Sequence, residues 1–241
     1  MRKFLRLLAA ALAFSGAIGT ASAQVMTFDN LDTSLAPFAP FIGHFDTLSE
    51  GDYSVTMVST KAGAQTGDLV GAVMDSSSCF SVQCPVNNPT SFLGSLNDGL
   101  AAFYRTDSGL FNLTQFDASF LGAEGVPIPG VSMVLRLMGY DAFGVQTGQE
   151  DVLLPGLVGG ALSFSTYALS STFASLAFSE VDFVGYACNA AGSCSRAVNL
   201  AQFAVDNVTF ATPVPEPSTW ALLCLGLIGI AVIRRRATAK A

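Results

Sequence analysis

The stretch FNLTQFDASFL, residues Phe111 to Leu121, decides how the chain is read. Its apolar side chains fall on odd positions at Phe111 and Leu113, then on even positions at Phe116, Ala118 and Phe120. Alternation with period two marks a strand with one face buried in a core. The change of parity around Thr114-Gln115 marks a bulge or bend, because one extra residue swings every later side chain to the opposite face. The C-terminal strand repeats the pattern. Phe203 and Val205 precede Asp206-Asn207, and Val208 and Phe210 follow with shifted parity.

Working outward, short apolar segments recur at regular spacing, each bounded by Gly, Asn, Asp, Ser or Pro. The expected strands are Val25–Asp29, Tyr53–Ser59, Leu69–Met74, Ala101–Arg105, Phe111–Leu121 and Val131–Tyr140. Leu162–Thr166, Phe173–Phe178, Asp182–Ala187 and Gln202–Phe210 follow. They are rich in Val, Phe, Tyr and Thr, and no window carries a sustained helical stripe with caps. The expectation is an all-β fold, an antiparallel two-sheet sandwich of jelly-roll type, flanked by an N-terminal signal peptide and a single C-terminal transmembrane helix.

Both ends carry export features. Arg2, Lys3 and Arg6 precede an apolar stretch from Leu7 to Ile18, and Ala21-Ser22-Ala23 forms a small-residue cleavage site. That is the pattern of a secretory signal peptide cut by signal peptidase after Sec export, with Gln24 as first mature residue. At the other end, Pro215-Glu216-Pro217 is a stiff element, because each proline fixes its own φ and restricts the preceding residue. Trp220 to Ile233 is an unbroken apolar run, closed by Arg234, Arg235 and Arg236. A helix over that run spans roughly 21 Å, short of a hydrocarbon core of about 30 Å, and snorkelling arginines and an interfacial Trp220 narrow the gap. The arginines are expected on the cytoplasmic side, with the domain outside the inner membrane.

This tail resembles the PEP-CTERM sorting signal of Gram-negative bacteria, in the order and spacing of Pro-Glu-Pro, apolar helix and arginine cluster. The resemblance implies recognition by exosortase, a membrane-embedded, cysteine transpeptidase-like enzyme, and cleavage near Pro215-Glu216-Pro217. The expected domains are therefore 1–23 signal peptide, 24–213 exported sandwich and 214–241 sorting signal. The body resembles the carbohydrate-binding-module-like sandwiches of many PEP-CTERM proteins. That likeness lies in Thr27-Phe28-Asp29-Asn30, Phe111-Asn112-Leu113-Thr114 and the stretch Gln202 to Phe210.

Charge and cysteine bound the partners. Only Lys61, Arg105, Arg136 and Arg196 lie between residues 24 and 213, against seventeen acids, a net charge of −13. Nucleic acid and anionic membranes are poor partners for such a surface. Cys224 lies in the apolar tail. Cys79 with Cys84 and Cys188 with Cys194 form two close pairs in an exported protein, the setting in which disulfides persist. Three connectivities are open, and the two local ones are favoured over a zinc site.

Three kinds of chemistry are open to these residues. Asp29 and Asp206 can share a structural calcium if the first and last strands are neighbours, although calcium takes about six to eight oxygen ligands. Glycan binding is weakened by the absence of Trp from the exported part, whose aromatic residues with polar tips are Tyr53, Tyr104, Tyr140, Tyr167 and Tyr186. Catalysis would have to use the single histidine, His44, or a carboxylate pair among Glu50, Asp52, Glu124, Glu150, Asp151 and Glu180. The expected role is therefore not enzymatic. It is a structural or adhesive one at the cell surface or in the extracellular matrix, with exopolysaccharide as a partner, transient anchoring in the inner membrane and no certain cofactor. A calcium-stabilised carbohydrate-binding module is the alternative, ahead of a surface hydrolase.

Overall fold

The computed structural model describes residues 23–80, 82–97, 99–123, 132–189, 191–196 and 200–212. The chain from Ala23 to Thr212 forms one compact unit. Its strands begin with β1 (Ala23–Met26), β2 (Asp32–Leu35), β3 (Phe41–Gly43), β4 (Thr47–Glu50), β5 (Tyr53–Ser59) and β6 (Leu69–Met74). Next come β7 (Val82–Gln83), β8 (Phe92–Ser95), β9 (Gly99–Arg105), β10 (Asn112–Phe120), β11 (Gly122–Ala123) and β12 (Ser132–Tyr140). The series ends with β13 (Gln146–Leu154), β14 (Ser165–Ala168), β15 (Glu180–Cys188), β16 (Cys194–Ser195) and β17 (Phe203–Ala211).

Fifteen of these strands build two antiparallel sheets, as the alternation of apolar residues predicts, and β7 pairs with β11 in a separate two-stranded ribbon. One has the order β14-β10-β17-β8-β6-β3, with β1 also on β17; the other runs β13-β12-β15-β9-β5-β4-β2, with β16 on β15. Between β5 and β17 the chain crosses repeatedly from one sheet to the other. Between them lies an aromatic core. Tyr53 stacks on Phe210 at 3.9 Å, Phe111 meets both rings edge-on, and Phe103 links Phe210 to Phe183.

Both expected parity shifts are present. The β10–β17 register slips between Leu113 and Gln115 and again between Gln115 and Asp117. As a result Phe111, Leu113, Phe116, Ala118 and Phe120 all reach the core despite their mixed parity. In β17 the break sits at Asn207, whose φ of +49° lies in the left-handed region that asparagine tolerates best among non-glycine residues. Phe203, Val205, Val208 and Phe210 are all buried.

Several segments differ from expectation. β2, β3, β4 and β8 are absent from the expected strands, being only three or four residues long and too short to show a period, and the strand expected at Leu162–Thr166 forms instead as β14 at Ser165–Ala168. The stretch Phe173–Phe178 is not a strand. Ser170 caps a single helical turn over Ser171–Ala174, its hydroxyl accepting from the Phe173 N–H, and Phe173 is the residue that turn buries. Local side-chain capping here outcompetes strand pairing. Conversely, QTGQEDVLL forms the nine-residue β13, which apolar periodicity could not flag, since among the described residues it is an edge strand paired only to β12, with a mostly polar outer row.

Candidate functional site

The geometry of β17 creates the most distinctive polar feature. Along one edge, β8 pairs with Phe203–Val205 and β1 pairs with Val208–Ala211, so Asp206 and Asn207 lie in the gap between two partners. The first and last strands are thus neighbours, the condition set by the pairing of Asp29 with Asp206. The loop between β7 and β8 enters the gap. Asn88 donates its side-chain amide to Asp206 Oδ2 at 2.7 Å, and the Asn207 N–H donates to Oδ1 at 2.7 Å. Asp206 is fully buried, and burial pushes its carboxyl up to about 6 against the opposing pull of those hydrogen bonds.

Around this staple opens a cavity of about 340 Å³ whose lining includes Asp29, Asn87, Asn88, Asp117, Phe164 and Asn207. Its walls are tied to one another. Asn87 exchanges two hydrogen bonds with the Phe164 backbone, at 2.7 and 3.0 Å. Asp117 accepts from the Thr166 hydroxyl at 2.6 Å and the Asn207 amide at 2.8 Å, and Asp29 accepts from the Ser91 N–H at 2.9 Å. The fold therefore brings Asp29 into the cavity lining and buries Asp206 outside that lining, the two joined through the segment from Asn88 to Ser91, whose Asn88 amide bonds Asp206 and whose Ser91 N–H bonds Asp29. Asn88 and Asp117 carry as much of this site as the two aspartates named from sequence. Their only local signal is the Asn87-Asn88-Pro89 turn and the polar break in β10.

A second carboxylate stands apart. Val181 and Phe183 point into the core, so Asp182 lies on the outer face of its sheet, yet it is only 9% exposed. Its Oδ1 is buried with no hydrogen-bond partner among the described residues. Burial, reinforced by the nearby Glu180, pushes its carboxyl up to about 7. The native state then binds a proton that the unfolded chain, with an ordinary aspartate near 3.9, has already released. Stability should fall as pH rises from about 4 to 7 and stay lower above that. Asp182→Asn is expected to flatten this slope and to exceed the wild type at pH 8 by on the order of 2–4 kcal/mol in urea denaturation. Asp206 contributes a residual slope of the same sign.

Glu50, Glu150, Asp151 and the histidine make hydrogen bonds that brace the fold. Glu50 accepts from the Thr27 and Phe28 N–H groups, Glu150 braces Ser170, and Asp151 pairs bidentately with Arg136. The buried His44 accepts the Ser59 N–H through Nδ1 at 2.8 Å and stacks on Phe45. Asp52 supplies backbone carbonyl bonds to Thr106, Glu180 lies beside Asp182, and Glu124 falls outside the described residues.

The four domain cysteines form Cys79–Cys84 and Cys188–Cys194, the two local pairings. The second also closes the β15–β16 ladder. Among the described residues no group of three or more His, Cys, Asp or Glu is placed to hold a metal ion. Residues 1–22 of the expected signal peptide, Cys224, the apolar run, Pro215, Glu216, Pro217, Arg234, Arg235 and Arg236 lie outside the described residues, while Ala23 opens β1.

Fold and site together define a disulfide-bonded antiparallel β-sandwich with a polar cavity at a strand junction. Residues 213–236, directly after this unit, match the PEP-CTERM protein-sorting motif. That motif implies an exosortase-targeted exported protein, processed at the membrane toward the cell surface. No curated protein matches it. Among solved structures it is similar to a DUF4465 family protein from Bacteroides caccae, at 14% identity over 78% of this chain and 98% of that one, with a TM-score of 0.48. It is also similar to a DUF4465 family protein from Bacteroides ovatus, at 12% identity over 80% and 100%, with a TM-score of 0.41.

Proposed function

We propose that the sandwich is the cargo of its sorting tail and serves outside the cell as a structural and adhesive component of the extracellular matrix. One observation carries this reading: the sorting motif begins at residue 213, next to the last core strand, which ends at Ala211. Cleavage near Pro215-Glu216-Pro217 would free a domain whose two local disulfides suit an oxidising exterior. Sec, signal peptidase and a transient inner-membrane stage with the domain on the periplasmic side belong to the same proposal. Mass spectrometry of the mature chain, from matrix and membrane fractions of cells with and without exosortase, tests it. The expected product begins at Gln24 and loses the tail only when exosortase is present. An intact tail in exosortase-positive cells, or absence of the chain from the matrix fraction, would sink the reading.

The polar cavity supports a second reading, a carbohydrate-binding module with structural calcium. Its carboxylates, amides and hydroxyls suit a hydroxyl-rich ligand, and its local negative charge disfavours an anionic one. The calcium part fits less well. Asn88 and Asn207 would have to withdraw their N–H groups from Asp206 before its oxygens could face an ion. A glycan array run with calcium and with EDTA separates the parts. Binding in both conditions favours a sugar site without metal, binding only with calcium favours the joint site, and silence in both removes this reading.

A further inference from the structure

At one end of the sandwich the chain crosses between sheets through LAPFAPF, Leu35 to Phe41, seven residues without a polar side chain. All but Ala36 are exposed, Leu35 by 66%, Phe38 by 70% and Phe41 by 41%. The run joins β2, the outer strand of one sheet, to β3, the outer strand of the other. It is held in this exposed position by its own turns: the Ala36, Ala39 and Phe41 N–H groups donate to the carbonyls of Thr33, Ala36 and Phe38.

Neighbouring elements extend the patch. Phe80, 49% exposed, packs its ring 4.6 Å from that of Phe41. Phe38, Phe41 and Leu69 wall a cleft of about 330 Å³ with Gly43 and Gly67 in its lining. A side chain at Gly43 would strike the Gly67 backbone at 2.7 Å, so the close approach of these two segments depends on glycine. Runs of exposed apolar residues this long are selected against on a surface meant only to face water.

We infer that this end is a self-association surface, whose occupant is the same face of a second copy of this chain. Two features point to a copy. The first is area: the exposed parts of Leu35, Phe38, Phe41, Leu69 and Phe80 amount to on the order of 500 Å², within the size range of functional patches. Doubled across a two-fold axis, that is on the order of 1,000 Å², the lower bound for a specific interface, which sets a weak, concentration-dependent dimer. The second is composition: Leu35 to Phe41 carries no polar side chain, so the same face of a copy meets it without burying a charge. The outer edge of β3 adds no strand pairing, because the Phe41 and Gly43 N–H groups already donate to the Phe38 carbonyl and the Asp46 carboxylate. The net charge of −13 on residues 24–213 opposes anionic lipid as the occupant, and its repulsion between copies keeps the dimer weak and makes it tighten with added salt. Weak dimers become effective when many copies are held in one matrix, because each contact raises the local concentration for the next. The inference takes its setting from the matrix reading and extends it to a specific contact.

Sedimentation velocity of the processed protein from micromolar to millimolar concentration, alone and with phosphatidylcholine vesicles, tests it. The wild type should dimerise with rising concentration, and Phe38→Lys and Leu35→Lys should each weaken that at least about tenfold with unchanged melting. A wild type that stays monomeric, dimers undiminished in both variants, or binding to vesicles in place of dimerisation would each overturn the inference. A monomer that still reaches the matrix fraction overturns self-association alone. A dimer absent from that fraction overturns only the matrix role.

Discussion

Phe210→Ala is expected to cost the domain about 3–5 kcal/mol, the range for deleting a fully buried aromatic ring. The residue is 0% exposed and sits where the rings of Tyr53, Phe103 and Phe111 meet. Tyr53 and Phe103 come from one sheet and β17 from the other, so the cavity would open at the interface that holds the layers together. For a unit of this size, each kcal/mol moves the melting temperature by about 2–4 °C, which predicts a drop of roughly 6–20 °C. Phe210→Leu should recover much of the loss. A calorimetric shift of only a degree or two for the alanine variant would show that the layers are held elsewhere.

Asp206→Ala should be the next most damaging change, at about 2–4 kcal/mol near neutral pH, because it leaves the Asn88 amide and the Asn207 N–H buried without an acceptor. The effect is local in origin and long-range in consequence. Asn88 is 118 residues away in sequence, and its bond to Asp206 pins the β7–β8 loop to the gap between β8 and β1. Asp206→Asn retains the volume and one acceptor, and should fall between wild type and alanine. Urea denaturation of the three proteins, with hydrogen exchange at Asn88 and Thr90, measures both effects. Equal stability of all three, with unchanged exchange in the loop, would remove the staple role.

These expectations separate what local pattern could show from what it could not. The parity breaks at Thr114-Gln115 and Asp206-Asn207 were legible because a buried face demands apolar residues at fixed period, and a bulge leaves a visible phase shift. Tyr53–Ser59 and Leu69–Met74 appear with the bounds read from their residues. β13 was not legible, since Gln149, Asp151 and Leu153 face solvent and only Val152 and Leu154 carry an apolar signal. The turn at Ser171–Ala174 was hidden by Phe173 and Phe178, which read as strand residues; they pack on each other at 4.8 Å across a turn.

The site divides along the same line. Sequence alone determined the export tail, the all-β class, the acidic surface and the pairs of nearby cysteines, because each depends on order and spacing along the chain. Only the tertiary structure decided that Asp206 meets Asn88, that Asp117 joins Asn207 beside the cavity, and that Asp182 is buried on an outward face. It alone gathered Leu35, Phe38, Phe41, Leu69 and Phe80 into one patch. Those facts depend on which strands become neighbours across the two sheets. That choice is made by the summed packing of the aromatic core, and no single segment carries it.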